Sequence, residues 1–195
     1  MAYIFQDIAK KAASAGITPN DTATARDWFR NAAQGITSVS ARRLVMGDRK
    51  NVVGGLTIES IGRMYMFFYD PKTKDKLPYY DNFPLIFPIN FYSDGFLGIN
   101  LHYLPPYARA QLMNALYETA NNDKYDASTK LQISYRILNS SASFSGFKVC
   151  VKRYLHQHVQ SLFLYVEPKN WDTALMLPTE RFVKASKQDV FKEAF

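Results

Sequence analysis

Residues 62–102 read GRMYMFFYDPKTKDKLPYYDNFPLIFPINFYSDGFLGINLH, and this stretch decides the fold. It holds three short apolar runs, Met64 to Tyr69, Phe83 to Phe91 and Phe96 to Leu101, rich in aromatic or β-branched residues and bounded by Asp, Pro or Gly. Such runs are strand signals. The breaks Asp70-Pro71, Leu77-Pro78 and Ser93-Asp94-Gly95 are turn chemistry, because Pro presets φ and Gly takes positive φ without a Cβ penalty. The expectation is an α+β fold: a small, strongly bent antiparallel sheet or an SH3-like barrel, surrounded by helices. Pro84 and Pro88 cannot donate to a ladder, so their strand lies at an edge or is broken by bulges.

Outward from that core, 195 residues make one large domain or two small ones, enough to bury a real core. With 47% hydrophobic and 21% charged residues the composition is globular and excludes a disordered chain. No apolar run approaches a bilayer span, and Met-Ala-Tyr-Ile-Phe-Gln-Asp has no basic head before an apolar segment, so a soluble, unexported protein is expected. The single cysteine, Cys150, excludes an internal disulfide and fits a reducing cytoplasm, including assembly inside a host cell.

The formal charge of +7 is unevenly placed. Residues 1–63 carry nine Lys/Arg against five Asp/Glu, residues 64–125 five against six, and residues 126–195 ten against six. A neutral strand-rich centre between basic flanks suits a polyanionic partner, most simply nucleic acid.

Helical periodicity places an amphipathic helix over Tyr3 to Ala15 with Gly16 as its cap, and a second from Asp21 or Thr22 to about Gln34. Ile36 to Gly55 reads as a basic arm or loop. Pro105-Pro106 opens a helix with Leu112, Ala115, Leu116 and Thr119 as its apolar stripe. A further helix runs from Ser128 to about Leu138 with Leu131, Tyr135 and Leu138 on one side, followed by a loop over Asn139 to Gly146. Phe147 to Val159 reads as a helix, its length and basic face fitting that better than an edge strand. Ser161 to Glu167 is a late strand returning to the sheet, Pro168 opens a short helix through Trp171 to Met176, and Ala185 to Phe195 forms an amphipathic tail. The organisation is N-terminal helices and arm over 1–61, an α+β core over 62–182 and a helical tail over 183–195, with projecting ends.

The residue types that could carry chemistry are few. Cys150 between Val149 and Val151 reads as a small buried hydrophobe rather than a nucleophile. With one cysteine and the histidines His102, His156 and His158, no zinc set is expected. Asp70, Asp75 and Asp81 beside Lys72, Lys74 and Lys76, or Glu167-Pro168-Lys169 after a strand, could hold Mg²⁺ in a nuclease, but the proline would end the strand that aims the lysine. No catalytic residue, metal or cofactor is therefore assigned. Lys148, Lys152, Arg153 and His156 would share a helical face, and with Arg42 and Arg43 they could contact phosphates; a solvated face is the alternative. Tyr79, Tyr80, Phe91, Tyr92, Tyr103 and Tyr107 cluster at strand ends and turns and read as a protein interface, to which Trp28, facing the core or a neighbouring chain, is added.

The order Tyr-Asp-Pro-Lys, Leu-Pro-Tyr-Tyr-Asp, Phe-Pro-Leu and Gly-Ile-Asn-Leu-His-Tyr-Leu within residues 62–116, with the later VKRYLHQHV and LPTERF, resembles small structural proteins of T4-like tailed phages. It is similar to the group called DNA end protector proteins, over roughly Gly62 to Phe182. The resemblance implies a non-enzymatic virion component, assembled in the host cytoplasm, in multiple copies of a symmetric assembly. Its partners would be neck, tail or baseplate subunits and the ends of packaged duplex DNA, with no membrane. The alternatives are a purely architectural baseplate, neck or tail-completion subunit and a metal-dependent nuclease.

Overall fold

The computed structural model describes residues 4–18, 22–34, 50–120, 122–143 and 145–194. Its strands are β1 (Val52–Val53), β2 (Met64–Met66), β3 (Tyr80–Asp81), β4 (Leu85–Tyr92), β5 (Gly95–Asn100), β6 (Val151–Leu155), β7 (Phe163–Val166) and β8 (Phe182–Val183). The fold is α+β. Six strands form an antiparallel sheet in the order β1-β7-β2-β4-β5-β6, and β3 pairs with β8 in a separate ribbon, so the sheet stays open and does not close into a barrel. The three apolar runs are its centre. β4 lies between β2 and β5; Pro84 falls just before it, and Pro88 is accommodated by a register shift between Pro88 and Asn90 rather than by an edge position.

Alternation along the strands sorts side chains onto two faces. Met64, Met66, Leu85, Phe87, Ile99 and Val166 join the core beneath the helices. Tyr65, Phe67, Tyr69, Ile86, Phe96, Tyr154 and Phe163 form a second, aromatic core on the opposite face. Phe67 sits at its middle, its ring 4.8 Å from Phe163 and 5.3 Å from Tyr154.

Helices α1 (Ile4–Ser14), α2 (Ala23–Gln34), α3 (Pro106–Ala120), α4 (Ala127–Ser143), α5 (Ser145–Lys148), α6 (Trp171–Met176) and α7 (Lys187–Ala194) surround the sheet. Their ends obey local rules. α1 closes in a Schellman motif: Gly16 has φ 68°, and the N–H groups of Ile17 and Gly16 donate to Ala12 and Ala13 carbonyls at 2.9 and 3.1 Å. Thr22 caps α2 by accepting the Ala25 N–H at 3.1 Å, and a reciprocal Ser186–Asp189 pair opens α7. Among the described residues, no helix is long and apolar enough to cross a membrane.

Several expectations are corrected. Phe147 to Val159 is not one helix; after the single turn of α5 the chain enters β6, and its basic residues share no helical face. The exposed edge of β5 decides this, because Gly95 to Ile99 offer Leu155 to Val151 a complete antiparallel ladder. The loop expected at Asn139 to Gly146 is helical to Ser143 and again from Ser145, where α5 begins, since a helix already propagating from Ala127 and packing Leu138 carries its Ser residues with it. Part of the expected arm is strand β1; its residues 36–49, with Arg42 and Arg43, lie outside the described residues. On α3 Met113 and Tyr117 are buried and Ala115 is exposed, because the helix packs on both α4 and α6 and needs a wider apolar face. Tyr135 is exposed while Leu138 is buried. The ends fold back on the core instead of projecting: Ile4, Phe5, Ile8 and Ala12 of α1 and Val190 of α7 are buried.

One glycine fixes the β4–β5–β6 meander by its size. A Cβ on Gly95 would lie 2.0 Å from the Tyr154 backbone oxygen, inside any tolerable contact. Gly95→Ala should destabilise the protein by about 2 kcal/mol, the cost of overpacking a close backbone approach. Urea unfolding of the two proteins measures it.

Candidate nucleic-acid interface

The turn after β2 and strand β6 enclose a cavity of about 350 Å³, within the range of roughly 300–1,000 Å³ that holds small ligands. Its lining includes Tyr79, Tyr80 and Tyr103, Lys152 and Arg153 of β6, and Lys72 of the turn. The aromatic and basic sets, which the sequence offers as two separate surfaces, therefore meet in one groove. β6 carries the two cations; the β3–β8 ribbon carries Tyr80 and positions Tyr79.

The groove floor is held by a buried carboxylate. Asp81 Oδ2 accepts hydrogen bonds from His102 Nδ1 at 2.7 Å and Asn100 Nδ2 at 3.1 Å, while Oδ1 accepts the N–H groups of Phe83 and Arg181, both at 3.0 Å. Burial alone would raise this carboxyl; the His102 charge and hydrogen bond, with the Phe83 and Asn100 donors, hold it below its ordinary value. His102 Nε2 lies 3.2 Å from Thr179 Oγ1. A hydroxyl, an imidazole and a carboxylate in a row have the geometry of an activated nucleophile. Here all three are buried, His102 and Thr179 with no exposed surface, so the row clamps β3, the end of β5 and the 179–181 segment together.

The turn wall is held by Lys184, at φ 72° the one non-glycine residue in left-handed backbone among those described. Its ammonium donates to the carbonyls of Lys74, Asp75 and Leu77 at 2.7, 3.2 and 3.1 Å. His158 Nδ1 reaches the Asp70 carbonyl at 2.9 Å and closes the other end of the turn. Neither residue carries a sequence signal for this role; the spacing from Lys184 to the turn exceeds 100 residues.

The predicted residues divide among several environments. Lys152 is half-buried with its ammonium 4.0 Å from the centroid of the Tyr103 ring, and burial lowers its pKa. Arg153 is exposed, its guanidinium 3.9 Å from the centroid of the Tyr92 ring and paired with Asp94. His156 is exposed, its ring 5.8 Å from that of Phe96, and Lys148 is exposed at the end of α5. Tyr103, expected on an exposed rim, is 3% exposed: it packs edge-on against Phe182 at 5.1 Å, so its ring is sealed in the chain's own interior. Tyr79 and Tyr80 are half-buried, and the Tyr79 hydroxyl donates to Glu193 of α7. Burial first, then that carboxylate, pushes the Tyr79 phenol up to about 12. Tyr92 and Tyr107 are 45% and 55% exposed on the surface, and Trp28 is half-buried on α2, edge-on to Phe29.

The acidic groups do not converge. Asp70 pairs with Lys74 at 3.0 Å, Asp81 is consumed by its buried network, and Glu167 pairs with Lys169 at 3.0 Å. Among the described residues no group of three or more His, Cys, Asp or Glu stands close enough to hold a metal ion. Cys150 is buried, its thiol pushed up to about 12 by desolvation. What the groove offers is cations beside ring faces, the combination that binds phosphates and stacks bases.

Asp81→Asn should lower stability by about 3 kcal/mol at pH 7, the cost of breaking a buried charged network. Because the folded-state pKa is depressed, this contribution is fully present above the unfolded carboxyl value of about 3.9 and is lost as pH falls through the folded value. Thermal unfolding of both proteins from pH 7 to pH 3 should show the difference shrinking below about pH 4.

A family model described as phage T4 terminal DNA protecting protein matches residues 6–194. No curated protein and no solved structure matches the chain.

Proposed function

The chain belongs to the phage T4 terminal DNA protecting protein family, and from that premise we propose that it is a non-enzymatic virion protein that binds the ends of packaged duplex DNA without reading base sequence. The observation that carries this reading is the groove, whose lining joins Lys72, Lys152 and Arg153 to Tyr79 and Tyr80, with the Arg153 guanidinium turned toward Tyr92 and Asp94 at its margin. Cations on β6 and on the 72–76 turn would neutralise backbone phosphates, a term that is blind to sequence and set by counterion release. The basic flanks supply the long-range attraction that brings a polyanion to this face. Docking on neck or tail subunits would use surfaces away from the groove. Tyr107 on α3, together with the exposed Ile58 and Leu162, has the amphipathic or apolar character that such docking favours.

Binding to linear duplex should weaken steeply between about 50 and 200 mM salt. Lys152→Ala with Arg153→Ala should weaken binding to all sequences alike and reduce the salt slope by about 2, one for each phosphate that is no longer neutralised. Fluorescence anisotropy with two unrelated duplexes reads both effects; salt-insensitive binding would overturn the reading. The same protein should leave linear DNA uncut in Mg²⁺ or Mn²⁺ and shield it from an added exonuclease.

A further inference from the structure

Resting on the reading above, we propose that the groove between β6 and the 70–77 turn receives one phosphorylated nucleotide at the end of a DNA strand. Its terminal phosphate would lie on Lys152 Nζ and its base against Tyr79 and Tyr80.

Three observations lead there. Lys152 is half-buried, and its ammonium has the face of Tyr103 against it, with no hydrogen bond or ion pair to a described residue. Glu193, the carboxylate whose field reaches it, makes no ion pair with it and accepts the Tyr79 hydroxyl instead. A partly desolvated cation with no contacting carboxylate can take a further anion, and the phosphate of a ligand would supply one. Arg153, by contrast, is served by Asp94 and Tyr92, and the buried Arg109 by the carbonyls of Leu104, Leu175 and His102, so neither has the same deficit.

Size sets the second limit. A space of about 350 Å³ with Tyr79 and Tyr80 in its lining can take a nucleotide but not a double helix. In the interior of a duplex every base is paired and stacked, and only the phosphate backbone can touch the rim. To reach the tyrosines a nucleotide must leave the stack, and that costs least where the strand already ends. A base stacked on an aromatic ring regains part of that cost whatever its identity. The third observation is rigidity: the Asp81 network fixes the floor, Lys184 the turn wall and the β5 ladder the β6 wall, so the cleft is formed before any ligand arrives. The groove therefore discriminates an end from the middle of a duplex without discriminating sequence.

The test uses the full chain and a short duplex of one sequence. The duplex is prepared with a phosphate on the 5′ end, on the 3′ end or on neither, and in a form closed at both ends by non-nucleotide linkers. One phosphorylated open form should bind at least about tenfold more tightly than the closed form, and which one tells whether the phosphate belongs to the 5′ or the 3′ terminus. Lys152→Met, which keeps the aliphatic stem, should bring open and closed forms within about twofold while leaving salt-dependent binding to the closed form. Tyr80→Leu, at a half-buried position, should reduce the preference for open ends in a protein whose circular dichroism is unchanged. Equal binding of open and closed duplex by the natural chain overturns this inference alone, as does an undiminished end preference in both variants. Absence of binding to every form removes the proposed function with it.

Discussion

Asp81 is the point on which the rest of this structure turns. Four donors reach its two oxygens, and they come from segments far apart in sequence: the Phe83 N–H, Asn100 at the end of β5, His102 just beyond it, and the Arg181 N–H that leads into β8. A carboxylate taken out of water is tolerable only when its lone pairs are filled this completely. The network therefore selects one arrangement of β3, β5 and β8, and with it the positions of Tyr79, Tyr80 and Tyr103. The groove is a by-product of satisfying a buried charge.

A second set of charges ties the helices to this frame. Arg30 of α2 donates to Asp172 of α6 at 2.6 Å and to Asn114 of α3 at 2.9 Å, and the Arg109 guanidinium serves the carbonyls of His102, Leu104 and Leu175. Burial raises the Asp172 carboxyl and Arg30 opposes it, a partly compensated pair rather than a source of large stability. These arginines belong to the excess positive charge that the sequence displays, yet both are used internally. They do not count toward the charge offered to a partner, which near the groove comes from the 72–76 turn, from β6 and from the end of α5.

Residues 147–159 show why the site is only half legible in the sequence. Lys148, Lys152, Arg153 and His156 do have helical spacing, and nothing within the segment outweighs it. The competing term is the open edge of β5, which lies some 50 residues earlier and whose ladder a local pattern cannot see. With the segment folded as β6, Lys152 and Arg153 point to opposite sides of the strand, one toward Tyr103 and the other toward Tyr92. The turn lysines show the converse: Lys72 reads naturally as the companion of nearby carboxylates, and only the folded chain sets it opposite β6.

By itself the sequence determined what depends on neighbours along the chain: the three aromatic strands, the turns between them, the Gly16 and Thr22 caps, the late strand β7 and the family to which the order of motifs belongs. These follow from backbone propensity and from periodicities of a few residues. Tertiary structure alone decided that the sheet stays open, that the tail packs through Val190, that Tyr103 is sealed while Tyr79 and Tyr80 are not, and that rings and cations share one cleft. Each of those outcomes is set by burial and hydrogen bonding between segments brought together only by the fold, where the energy of a side chain depends on partners that its own stretch of sequence does not contain.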